Sequence, residues 1–220
     1  MFRKYGRCFW ASILMGLALS AGAAAQTFNE SGDAGQTLAT AQAVPPGTTT
    51  IKGNLQTEGD VDLYRFTLSA SGSITIRGYG DEASETCRII DANLILFNSA
   101  GLPLWGNDDG YDATICLGSE IVLNLPAGTY YLAFGDNNIE AMNSSNVEIC
   151  SNDDGDCSAG TTPLSYFESS GDDTGPYTIT FSRALGSSGT TAVPGPTGFI
   201  LLPLLVALGL IGGRTLRRRA

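Results

Sequence analysis

The chain has 220 residues, 12 of them basic and 22 acidic, with a net charge of −10 and no histidine. Without histidine, Ser-His and Cys-His nucleophile systems and histidine-ligated zinc are excluded. All 22 acids lie between two basic ends, where only Lys52, Arg65, Arg77, Arg88 and Arg183 are basic, so this span carries −17 and suits neither nucleic acid nor anionic lipid.

Arg3, Lys4 and Arg7 open the chain, Phe9 to Leu19 is apolar, and Ala23-Ala24-Ala25 supplies small residues. This layout predicts a signal peptide over residues 1–25 and a mature start at Gln26. Cys8 and Trp10 leave with it. About 170 residues then separate the two terminal signals, enough for one domain with its own core.

Period-two alternation marks that domain as all-β. Tyr64, Phe66 and Leu68 alternate with polar neighbours in DLYRFTLS, as do Ile74 and Ile76 in GSITIRG. The same pattern holds for Ile121, Leu123 and Leu125, for Tyr130, Leu132 and Phe134, and for Tyr177, Ile179 and Phe181. Each such strand has one buried and one wet face, and several at short spacing predict a two-sheet antiparallel sandwich. Ser71-Gly72 and Ala127-Gly128 are turn signals. Residues 136–174 are rich in Asn, Ser, Asp and Gly, and are expected to be a loop insertion.

Cys87, Cys116, Cys150 and Cys157 remain after export, an even number in an oxidising compartment, which predicts two disulfides. Three pairings are possible. Cys87–Cys116 with Cys150–Cys157 is favoured, because the second pair closes the short acidic loop CSNDDGDC. No C-x-x-C pair is present to suggest a metal-thiolate site.

Residues 184–197 form a Gly/Ser/Thr/Pro linker. The segment 198–220 carries an apolar run from Phe199 and a cluster of Arg214, Arg217, Arg218 and Arg219. The run is about 15 residues, roughly 22 Å of helix against a hydrocarbon core of about 30 Å, and Pro203 interrupts it. It is expected to engage the membrane at least transiently, with its arginines on the cytoplasmic side. Val193-Pro194, Pro196, the apolar run and the arginine cluster together resemble the PEP-CTERM sorting signals of Gram-negative bacteria. Position 195 is glycine where that motif has glutamate. The resemblance implies an exosortase-like sorting protease as a partner, and delivery to the cell surface or extracellular matrix.

Five ordered pieces between Phe28 and Ser182 resemble bacterial pre-peptidase C-terminal domains. They are FNESGDAGQTLATAQAV, IKGNL with GDVDLYRFTLSASGSITI, LILFNSAGLPLWGNDD, LPAGTYYLAFG and GPYTITFS. The resemblance covers a domain at residues 26–183. It implies a non-catalytic, jelly-roll-like sandwich in which acids near the start and before the aromatic strand hold calcium. By position these are Glu30, Asp33, Asp60 and Asp62. Hard carboxylate oxygens in loops are the ligands that Ca²⁺ takes.

Two further acidic stretches compete as metal loops. Asn107-Asp108-Asp109-Gly110 with Asp112 is also a good turn former. Asn152-Asp153-Asp154-Gly155-Asp156 lacks the bidentate glutamate of an EF-hand. Catalysis has little material. Lys52, the sole lysine after export, is expected to be a solvated side chain, and Trp105 a core residue. Paired carboxylates could serve a glycosidase, but no pair stands out. The expected protein is a non-enzymatic, exported, calcium-assisted binder of extracellular polysaccharide or matrix protein. The alternatives are a structural matrix component without a discrete ligand site and, least favoured, a carboxylate-dependent glycosidase.

Overall fold

The structure, a computed structural model, describes residues 25–81, 90–108, 110, 118–151 and 155–186. The expected signal peptide up to residue 24, nearly all of the expected linker, the expected sorting segment with Val193, Pro194, Pro196 and Arg214, Arg217, Arg218 and Arg219, and Cys87, Cys116, Asp109, Asp112 and Asn152–Asp154 lie outside the described residues. No helix among those described is long and apolar enough to cross a membrane.

The described chain runs β1 (Gln26–Asn29), β2 (Gln42–Ala43), β3 (Thr48–Leu55), β4 (Val61–Leu68), β5 (Gly72–Gly80), β6 (Ala92–Asn98), β7 (Pro103–Asn107), β8 (Ser119–Leu125), β9 (Gly128–Asp136), β10 (Ile139–Met142), β11 (Glu148–Ser151), β12 (Gly155–Asp156), β13 (Tyr166–Ser169) and β14 (Gly175–Phe181). One sheet has the order β1-β3-β14-β5-β8, and a second has β12-β7-β6-β9-β4-β2. The chain crosses between them from β3 to β4, β4 to β5, β5 to β6, β7 to β8 and β8 to β9. Each alternating strand therefore turns its apolar face inward against a strand of the other sheet. Ile51, Phe66, Ile74, Leu94, Phe134 and Tyr177 meet in this core, each with no more than 1% of its surface exposed. Phe134 stacks on Tyr177 at 3.8 Å between ring centroids, and Phe66 packs on Phe181 at 5.4 Å.

Two features correct the expected two-sheet antiparallel sandwich. First, β1 pairs with β3 and β2 with β4 in parallel. Second, residues 136–174 are not a plain loop. They hold β10–β13, and a third sheet of order β11-β10-β13 lies over the outer face of the six-stranded sheet. There Ile139 and Ala141 of β10 and Phe167 of β13 pack on Leu63, Ile95 and Phe97. This explains why β6 reads as the unbroken run LILF: a strand covered on both faces has no wet side to alternate with. Phe97 and Phe167 meet edge to face at 6.1 Å. Cys150 and Cys157 are joined by a disulfide, which ties β11 to the segment carrying β12 against β7.

Candidate metal centre

The start of the domain folds its acids onto the start of β4. After β1 the backbone N–H of Glu30 donates to Lys52 O of β3 at 2.8 Å, which sets the direction in which the following loop leaves the sheet. The Asp33 carboxylate accepts the Gly35 N–H at 2.8 Å, a tight local turn. Gly35 has φ +68°, and a Cβ there would lie 2.6 Å from Thr40 Oγ1, so only glycine makes this bend. The Gly35 carbonyl then accepts the Leu63 N–H at 3.0 Å, docking the loop on β4.

The result is one acidic site. Single carboxylate oxygens of Asp33, Asp60 and Asp62 lie within 4.8 Å of one another. Glu30 adjoins them: its Oε1 and Asp62 Oδ1 share the Ala34 N–H at 2.9 and 3.3 Å. Its Oε2 accepts the Asn54 N–H at 2.8 Å. Asp60 is 5% exposed and Asp62 fully buried, whereas Asp33 faces solvent. Asp60 Oδ2 accepts the Gln56 N–H at 2.7 Å. The structure thus brings together all four acids named from the sequence.

Asp62 reaches further inward. Tyr177 Oη donates to Asp62 Oδ2 at 2.6 Å and lies 2.6 Å from Tyr64 Oη. Both rings are fully buried. Gly53 of β3 makes the room, since a Cβ there would lie 2.3 Å from the Tyr177 ring and 2.7 Å from Tyr64 Oη. This Tyr64–Tyr177–Asp62 chain was not legible in the sequence, where both tyrosines read only as core. Burial pushes the Asp62 carboxyl up to about 8, the Tyr177 hydrogen bond opposes the shift, and the charges of Glu30 and Asp60 add to it. Burial likewise raises Glu30, with Asp60 adding repulsion.

No cationic side chain among the described residues pairs with these acids. Lys52, expected to be merely solvated, instead bridges to Asp81 at 2.9 Å and donates to Thr178 Oγ1 at 3.0 Å. Arg77 pairs with Glu120 at 2.6 Å. Buried carboxylates left unpaired are unfavourable and take up either a proton or a cation. Oxygen-only donors in this number and charge fit a hard divalent cation such as Ca²⁺.

A second group of acids was missed. Carboxylate oxygens of Asp136, Asp172 and Asp173 also lie within 4.8 Å of one another. Asp136, 2% exposed, accepts the N–H of Asp91 at 3.0 Å and of Asp173 at 2.8 Å. Gly135 pairs with Val61, and the Gly59 N–H donates to Gly171 O at 2.9 Å, so both acid groups stand at the same end of the β4–β9 strand pair. A turn through Asn137 and Asn138, both at positive φ, follows at once. Of the competing loops, Asp108 accepts the Asn93 side-chain N–H at 3.2 Å, and Asp156 faces solvent next to Ser158. Trp105 is partly buried against the main core, as expected.

No family model matches the chain, and no curated protein matches it. Among solved structures it is similar to the pre-peptidase C-terminal domain of a collagenase from Bacillus anthracis, with 15% identity over 72% of this chain and 96% of that one and a TM-score of 0.36.

Proposed function

We propose that this chain is a non-catalytic, exported β-sandwich that binds Ca²⁺ at Glu30, Asp33, Asp60 and Asp62 and uses its surface to bind extracellular polysaccharide or matrix protein. One observation carries the reading: Asp60 and Asp62 are buried carboxylates with no cationic partner among the described residues. A divalent cation would remove that penalty, and extracellular fluid supplies calcium in plenty. The motif resemblance to pre-peptidase C-terminal domains points to the same four positions. Export is supported by the Cys150–Cys157 disulfide, which persists only in an oxidising compartment. The absence of histidine leaves no general base of the usual kind. The C-terminal resemblance adds a sorting step by an exosortase-like protease, which mass measurement of the surface-released chain would test by loss of the arginine cluster.

Calorimetric titration of the purified chain with Ca²⁺, beside melting curves with and without chelator, tests the site. One saturable site that raises Tm and disappears in Asp60→Ala is the expected result. No heat and no change in Tm at millimolar Ca²⁺ would remove the site and leave a passive acidic matrix component as the better account.

A further inference from the structure

The outer face of the six-stranded sheet carries a pocket unlike the acid site. In the antiparallel pairing of β4 and β9, Arg65 stands opposite Tyr131 and Thr67 opposite Thr129. Period two puts all four on the same face. Val44 and Pro46, from the segment after β2, and Gly186 close a pocket of about 250 Å³ over Arg65, Thr67 and Thr129.

Arg65 differs from the other described cations. Lys52 and Arg77 each hold a carboxylate, and Arg183 donates to Ala70 O at 2.9 Å. Arg65 is exposed, and its guanidinium donates to no acceptor among the described residues. Acids outnumber bases by 22 to five in this span, so a carboxylate neighbour is the ordinary outcome for a surface arginine. Arg65 lines a pocket instead.

The chemistry of the lining limits the ligand. A guanidinium fork matches a carboxylate bidentately. Two threonine hydroxyls, each donor and acceptor, stand side by side beyond it. Ala43 and Pro46 add apolar wall. The volume lies below the range typical of drug-sized ligands, leaving space for one ring. The backbone of β4 is already paired with β9 on one side and with β2 and the Val44 N–H on the other. An extended peptide therefore cannot pair with β4 itself here.

We propose that this pocket binds a uronate residue of an acidic polysaccharide, with Arg65 holding the sugar carboxylate and Thr67 and Thr129 its ring hydroxyls. The proposal rests on the polysaccharide-binding part of the reading above and is independent of calcium.

The test is titration of the full-length chain, in chelator, with an oligogalacturonate and with a neutral galactose oligomer of equal length. Saturable binding of the acidic oligomer alone is expected, with amide shifts at Thr67 and Thr129. Arg65→Gln should weaken it at least about ten-fold, the effect of losing one charge-assisted pair, with Tm unchanged. Equal binding of both oligomers by both proteins would overturn the pocket and leave the polysaccharide reading standing. Binding that needs Ca²⁺ and survives Arg65→Gln would also overturn it, placing the carboxylate at a metal instead. Binding of a short peptide through its C-terminal carboxylate, with no sugar bound, would overturn the sugar assignment. No binding of either oligomer, with or without Ca²⁺, would remove the polysaccharide reading and the pocket together.

Discussion

Asp62 accepts from Tyr177 on one oxygen and from Ala34 N–H on the other, in full burial. Its carboxyl is raised from 3.8 to about 8, by burial first. Between those two values the folded chain holds a proton that the unfolded chain has lost. The folded state binds more protons, so this contribution to stability is full below pH 4 and is lost as pH rises towards about 8. In chelator, Tm of the native chain should therefore fall relative to Asp62→Asn as pH goes from about 5 to 9. A difference that stays flat, or runs the other way, would show that the carboxyl is not raised. Tyr177→Phe removes the bond that opposes the shift, so it should move the fall to higher pH. It should also destabilise the chain by about 1–3 kcal/mol, because Asp62 and Tyr64 both lose a buried partner. Gly53→Ala drives a methyl into the same tyrosines. It should cost about 1–3 kcal/mol by overpacking, read from urea midpoints.

The strands differ in how far the sequence announced them. β5, β8 and β14 each bury one face, and alternation reveals that directly, as it does for the parts of β4 and β9 that the third sheet leaves uncovered, Tyr64–Leu68 and Thr129–Leu132. The third sheet hides because β10, β11 and β13 have four residues each, too few for a period to emerge from Asn- and Ser-rich surroundings. The signal for it lay elsewhere, in the non-alternating LILF of β6. The parallel partners of β3 and β4 leave no local mark either, since pairing partners are set by tertiary contact. The acid site was legible as four positions because two of its segments carry a motif. Its link to Tyr177 was not, since the hydrogen bond joins residues 115 apart. Asp136 and Asp173, 37 apart, did not stand out from the expected loop insertion for the same reason. Because the third sheet has little core of its own, its attachment is the fragile point. Phe167→Ala should destabilise by about 3 kcal/mol. Replacing Cys150 and Cys157 by serine should cost about 2 kcal/mol, the loop-closure term for so short a ring. Hydrogen exchange should show either change concentrated in β10–β13. Exchange that rises equally across β4, β6 and β9 would mean that the third sheet is integral to the main core.

At the scale of the whole molecule, charge decides what a cation can mean. A span of −17 repels itself, and any salt relieves part of that repulsion by screening. Calcium must therefore be separated from ionic strength. Sodium chloride should raise Tm gradually over hundreds of millimolar. Ca²⁺ acting at the acid site should raise it at far lower concentration and then saturate, following RT ln(1 + [L]/Kd). Mg²⁺ at equal concentration should do less, because it demands near-octahedral geometry and gives up its waters reluctantly, whereas Ca²⁺ accepts an irregular set of six to eight oxygens. Asp33→Asn, exposed and outside the tyrosine chain, should weaken the calcium response while leaving Tm in chelator nearly unchanged. Asp60→Asn should remove the response and raise Tm in chelator, because it deletes a buried negative charge beside Asp62. If Ca²⁺, Mg²⁺ and sodium at matched ionic strength trace one curve in the native chain and in both variants, the cations act only as a diffuse atmosphere. The burial of Asp62 would then be relieved by a proton rather than by metal.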